Sequence, residues 1–215
     1  MNSSTARALR ATAVALIGAG ALSACAPLLV GGAMVGTAMV VTDRRTAATQ
    51  LEDEVIEVKA KNRIQEALGD KGQISVTSYN RVLLLTGEVP EAADKAAVEQ
   101  AVGRIENVQS VVNELIVGGF PRSVSQRSND AFITSKVKAS LIDAKDLFSN
   151  SIKVVTSSGV VYLIGRVTER EANRAAEIAR GVSGVVKVVK VFEILSEAEL
   201  ANSAARTGAK PASAP

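Results

Sequence analysis

The stretch Val82-Leu-Leu-Leu-Thr-Gly87-Glu-Val89 returns 78 residues later as Val160-Val-Tyr-Leu-Ile-Gly165-Arg-Val167. A second pair follows at a spacing of 77, where Val108, Val111, Val112 and Leu115 match Val185, Val188, Val189 and Phe192. Upstream, Ile64 and Leu68 match Val137 and Leu141 at a spacing of 73. Recurrence in fixed order constrains the fold more than any bulk property, because one supersecondary unit must serve twice.

Each copy reads as helix, strand, strand, helix, strand. In the first, Ile56, Ala60, Ile64, Ala67 and Leu68 fall on one face of a 3.6-residue period. Strands are expected over Ile74 to Tyr79 and Val82 to Val89, around a hairpin-sized turn at Asn80-Arg81. Pro90 suits the start of the next helix, which runs to about Ile105, and Val108 to Val117 forms the last strand. The second copy turns at Ser158-Gly159, and its second helix carries Ala172, Ala175, Ala176, Ala179 and Val182 on one face. Small residues there let a helix sit close to a sheet. The expected fold class is α+β: two tandem αββαβ modules, each a three-stranded sheet covered on one face by two helices. The modules are expected over 50–118 and 128–195, with a linker over 119–127 and a disordered tail over 196–215.

Aromatic residues are sparse: two Tyr, four Phe and no Trp, so Ala and Val must supply much of the core. The chain has no His, which rules out His-based triads, His metal ligands and imidazole switches. No carboxylate pair is marked as catalytic, and nothing points to an enzyme, a cofactor, a metal or a nucleic-acid partner. The net charge of +3 conceals an asymmetry. Residues 51–118 carry 7 Lys/Arg against 12 Asp/Glu, a net of −5, while residues 126–195 carry 11 against 7, a net of +4. The two modules therefore offer different partners opposite fields.

No charge occurs between Arg10 and Asp43. A spanning helix needs about 20 apolar residues, but this stretch is divided by Leu22-Ser23-Ala24-Cys25 and is then broken by Gly31, Gly32 and Gly36. Basic start, apolar middle, small residues and cysteine resemble the lipobox of bacterial lipoprotein signals. The resemblance implies a signal peptide over 1–24, lipid modification of Cys25, and a Gly/Ala-rich membrane-proximal tether over 25–49. Cys25 is the single cysteine, so it forms no internal disulfide. Ala26 stands where Asp would imply retention at the inner membrane, so the outer membrane is implied instead.

The chain also resembles the BON domain, an αββαβ module of bacterial envelope proteins. The residues that carry this are the strand Val160, Tyr162 or Leu163, Gly165, Val167 and the strand entry Gly184 to Val188. Further matches lie at Ser128 to Val137, Val167 to Ala172, and Val182 to Val185, with Val35-Gly-Thr37 and Thr42-Asp43 before them. Two such modules behind a lipobox resemble the DolP-type (YraP-type) dual-BON outer-membrane lipoproteins. That resemblance implies a periplasm-facing lipoprotein that binds anionic phospholipid through the first helix of the second module. It also implies enrichment at division sites and a role in envelope integrity. Phe132 stands where relatives carry Trp, which keeps an aromatic ring and loses the indole N–H.

The residues of that helix, expected over about Asp130 to Ile142, read the same way. Ile133, Val137, Ser140 and Leu141 face the core; Phe132, Ser135, Ala139 and Ile142 point away, with Lys136 and Lys138 between. An amphipathic helix needs one apolar face, and a second one flanked by cations suits a membrane surface. The expected lipid-binding set is Phe132, Ser135, Lys136, Val137, Lys138, Ala139 and Ile142. The alternative for Phe132 and Ile142 is packing against the other module or the linker; the alternative partner class is an envelope protein or the cell wall, with the modules as a structural adaptor.

Overall fold

The computed structural model describes residues 43–119 and 121–200. The expected lipid site at Cys25, the signal peptide and most of the tether lie outside the described residues, as does the tail beyond Leu200. Module 1 comprises α1 (Ala47–Leu68), β1 (Gln73–Tyr79), β2 (Val82–Val89), α2 (Ala92–Gly103) and β3 (Ser110–Val117). Module 2 repeats the order as α3 (Val124–Asp143), β4 (Ile152–Ser157), β5 (Val160–Val167), α4 (Glu169–Arg180) and β6 (Lys187–Ile194), with one 3₁₀ turn over Ser149–Ser151. Each module is α+β, and its three strands are ordered as in the chain. The first pair is an antiparallel hairpin and the second pair is parallel, which its crossover helix permits.

The shared glycine has a steric cause. A Cβ on Gly87 would lie 2.0 Å from the Gln73 carbonyl oxygen, and one on Gly165 would lie 2.2 Å from that of Ser151. The first strand of each module crosses so close to the second that no side chain fits between them. Gly184 serves the strand entry, where a Cβ would press on Ile133 of α3 at 3.2 Å.

Each module has its own core. Ile56, Ala60, Ile64 and Leu68 of α1 pack with Leu83, Leu85, Val98 and Val102, while Ile133, Val137 and Leu141 of α3 pack with Val161, Leu163 and the alanines of α4. Ala172, Ala175, Ala176 and Ala179 are all buried, so the expected close helix–sheet approach is present.

The opposite sheet faces meet each other. Tyr79 and Leu84 of module 1 form a third cluster with Tyr162 and Ile164 of module 2, edged by Val112, Val155, Val189 and Val191. Leu84 and Tyr162 are equivalent positions in the repeat, as are Val112 and Val189, so like faces like. This explains why β2 and β5 read as nearly continuous apolar runs: both of their faces are covered. Burial raises both phenol pKa values, that of Tyr162 to about 12, with Glu114 adding to it.

Two helices start earlier than expected. α3 begins at Val124, inside the stretch read as linker, because Ser123 and Gln126 form a capping box. α1 begins at Ala47 behind the N-cap Thr46. The helices also align at 77 and not at 73, since Asp53, Ile56 and Ile64 hold the places of Asp130, Ile133 and Leu141. A slip of four residues keeps nearly the same helix face, so apolar periodicity alone does not fix the register.

Candidate functional site

α3 is held by polar contacts near its start. Asp130 is buried, and its carboxylate accepts the backbone N–H of Ser158 at 3.0 Å and of Gly159 at 2.9 Å. It thus caps the β4–β5 turn, where both residues have positive φ. Arg122 bridges Asp130 at 3.0 Å and Glu88 of module 1 at 3.0 Å. Module 1 repeats the device: Asp53 accepts the N–H of Asn80 and of Arg81 at 2.8 Å each, and Arg45 reaches Asp53 at 2.7 Å. The expected Asn80-Arg81 turn forms with both φ values positive, and Asp53 supplies the partner for its N–H groups.

Neither Asp nor Arg was singled out by sequence reading. Their signal is nonetheless present, as an Arg eight residues before an Asp, recurring at the repeat spacing in Arg45/Asp53 and Arg122/Asp130.

The tether side of the described chain is fixed as well. Arg44 donates to Glu171 of α4 through two nitrogens at 2.7 and 2.8 Å, and to the Arg166 carbonyl at 2.8 Å. Burial disfavours the Glu171 carboxylate, yet the Arg44 pair and the Thr168 N–H outweigh it and lower its pKa. The Arg45 guanidinium lies 4.0 Å from the Tyr79 ring centroid.

With α3 fixed, its outer face is defined. Phe132 is 62% exposed and Ile142 67% exposed, and the small residues Ser135 and Ala139 lie between them, also exposed. The Lys136 ammonium sits 4.9 Å from the Phe132 ring centroid and donates to the Ser183 carbonyl. Lys138 is exposed and has no polar partner among the described residues. Val137, expected among the lipid-binding residues, is fully buried with Ile133 and Leu141. It belongs to the core, because it lies on the opposite side of the helix from Phe132 and cannot reach a surface. The other six residues of the expected set are at least partly open to solvent.

Among the described residues no group of three or more His, Cys, Asp or Glu could hold a metal ion, and no helix is long and apolar enough to cross a membrane. Two open clefts of about 350 and 450 Å³ lie between α1 and α2 of module 1, away from α3.

Tandem αββαβ modules, joined through their sheets and offering helix faces to their surroundings, define a two-module α+β architecture. The BON domain family profile matches residues 52–119 and 129–196. The chain therefore belongs to the BON-domain family, and it is a DolP-type dual-BON protein. "Outer membrane lipoprotein DolP" of Haemophilus influenzae is 37% identical over 177 residues, covering 81% of this chain and 90% of that relative. "21 kDa hemolysin" of Actinobacillus pleuropneumoniae is 36% identical, covering 70% of this chain and 78% of its own length. "Osmotically-inducible protein Y" of Escherichia coli is 32% identical, covering 64% and 70%.

Proposed function

We propose that this protein is a periplasm-facing outer-membrane lipoprotein, anchored through Cys25, that binds anionic phospholipid through α3 and supports envelope integrity. Enrichment at division sites belongs to the same reading. The observation that carries it is the outer face of α3. Two large apolar side chains, Phe132 and Ile142, stand in solvent on one line, with Lys136 and Lys138 beside them. Aromatic and aliphatic groups insert at the bilayer interface, and a Lys near an anionic surface contributes on the order of 1 kcal/mol. Ser135 and Ala139 keep the face shallow, so the backbone can lie near the head-groups. The name of the Haemophilus relative supports the outer-membrane location.

Contact of this size is weak and reversible. It becomes effective because acyl chains on Cys25 would hold the modules near the bilayer at high effective concentration.

Co-sedimentation with vesicles tests the lipid reading. A fragment starting at Asp43 keeps Arg44 and Arg45, whereas one starting at Gln50 would strip Glu171 and Asp53 of their arginine partners. Binding to phosphatidylglycerol vesicles, little binding to phosphatidylcholine, and loss of binding in Phe132→Glu at unchanged melting temperature support it. Equal binding by wild type and Phe132→Glu removes α3 as the site. The anchor is tested separately: Cys25→Ala should release the protein from membranes on fractionation, and retention against salt extraction would reject lipidation as the anchor.

The adaptor alternative has one observation in its favour, an exposed apolar stripe of Leu51, Val55 and Val58 on α1.

A further inference from the structure

Val186 is 79% exposed, more than any other large apolar side chain among the described residues. It ends the loop between α4 and β6. A single exposed valine needs no explanation, but the repeat supplies a control for this one. Seventy-seven residues earlier, at the same place in module 1, stands Gln109. The two loops share a backbone. Val185 donates its N–H to the Val182 carbonyl at 3.2 Å and Val186 to that of Gly159 at 2.9 Å, as Val108 does to Ile105 at 3.2 Å and Gln109 to Arg81 at 2.9 Å. Gly184 and Asn107 both have positive φ. A polar side chain therefore serves this turn as well as an apolar one, and the fold does not require the exposed valine.

The charge around the loop changes in the same sense. Residues 178–192 carry Arg180, Lys187 and Lys190 and no carboxylate, whereas residues 101–115 carry Arg104 against Glu106 and Glu114. Arg180 and Lys187 are exposed and have no polar partner among the described residues, while Lys190 holds the Asn173 side chain. The carboxylates nearest in sequence are engaged elsewhere, Glu177 by Arg174 and Glu193 by Arg166. In module 1 Lys59 lies 3.9 Å from Glu106; its equivalent Lys136 meets the neutral Ser183 instead. Asp143, the exposed carboxylate of α3, stands about two turns beyond Lys136.

The loop adjoins the face of α3 read above as lipid-binding. Lys136 joins the two, since its ammonium sits 4.9 Å from the Phe132 ring centroid and donates to the Ser183 carbonyl. Gly184 lies against Ile133, with 3.2 Å left for a Cβ. An apolar group flanked by cations, with no carboxylate in the loop, matches an anionic bilayer surface.

We propose that the α4–β6 loop is a second point of membrane contact, with Val186 entering the interface and Arg180 and Lys187 facing lipid phosphates. Module 2 then rests on the bilayer through α3 and this loop together. The proposal rests on the lipid reading of α3.

The test uses the full chain reconstituted with phosphatidylglycerol or phosphatidylcholine vesicles, where one installed indole is the whole tryptophan signal. Emission of Val186→Trp should shift to the blue and be quenched by bromine-labelled acyl chains with phosphatidylglycerol only. Gln109→Trp should stay at its aqueous wavelength with both. Val186→Glu should cut the response of Phe132→Trp about twofold or more, and Gln109→Glu should leave it unchanged. A silent Val186→Trp beside a responding Phe132→Trp overturns the loop contact and leaves the α3 reading standing. A Gln109→Trp that responds as strongly as Val186→Trp also overturns it, because adsorption would then ignore the chemistry of the loop. A silent Phe132→Trp removes the α3 reading and the proposal with it. Should Val186→Trp fail to fold, the Val186→Glu result decides: an undiminished Phe132→Trp response overturns the proposal.

Discussion

Asp53 and Asp130 each satisfy two turn N–H groups that point inward from a hairpin, and each shares an Arg with a second carboxylate, Asp43 for Arg45 and Glu88 for Arg122. Removing Asp130 leaves two buried N–H groups without an acceptor and leaves Arg122 with Glu88 alone. Arg122 and Asp130 have only 8% and 7% of their side chains exposed, so water does not compensate. Asp130→Ala should therefore destabilise by about 3 kcal/mol, as breaking a buried pair does. Urea unfolding measures it. Lys138→Ala, on the open face of the same helix, should change stability by less than about 0.5 kcal/mol. These two aspartates were legible only as a faint spacing in the sequence. Nothing in a lone Asp on a helix tells a reader that a turn about 27 residues later bends back over it.

At the scale of elements, the repeat gave away most of the fold. Both hairpins, the crossover helices and the core stripes follow from period and punctuation. Two features did not. The first helices slid by one turn, to a spacing of 73, because residues four apart share a face; only the turn-capping aspartates fix the register at 77. The start of α3 at Val124, behind the N-cap Ser123, was hidden because a Gly-Gly-x-Pro stretch precedes it and draws the eye to a loop. The glycine in each central strand was legible as a motif but not as a cause. Its role predicts that Gly165→Ala pushes β4 off β5: the variant should lose several kcal/mol or fail to fold, whereas Gly103→Ala, with open space around it, should be tolerated. Thermal denaturation followed by circular dichroism distinguishes them.

For the whole molecule, the deciding feature is the sheet-on-sheet contact. The sequence reading covered each sheet on one face only; the nearly continuous apolar runs of β2 and β5 reflect a second buried face, which each module supplies to the other. The chain has two tyrosines, Tyr79 and Tyr162, and both lie in that contact. Their phenol pKa values are raised above the ordinary 10.0, with Tyr162 at about 12. A raised pKa in the folded state means that this stabilisation is complete below pH 10 and is lost as pH rises toward the folded value. Tyrosinate absorbance at 295 nm should thus stay low past pH 10 and then rise together with unfolding. Titration of either phenol near pH 10 with the fold intact would place it outside the contact.

The absence of tryptophan from the whole chain gives the central claim a clean probe. Phe132→Trp and Ile142→Trp each install a single indole on the outer face of α3. With phosphatidylglycerol vesicles, both emissions should shift to the blue and be quenched by bromine-labelled acyl chains, while neutral vesicles leave them unchanged. An emission from both folded variants that stays at its aqueous wavelength with anionic vesicles, unquenched by the labelled chains, would contradict lipid binding by this face.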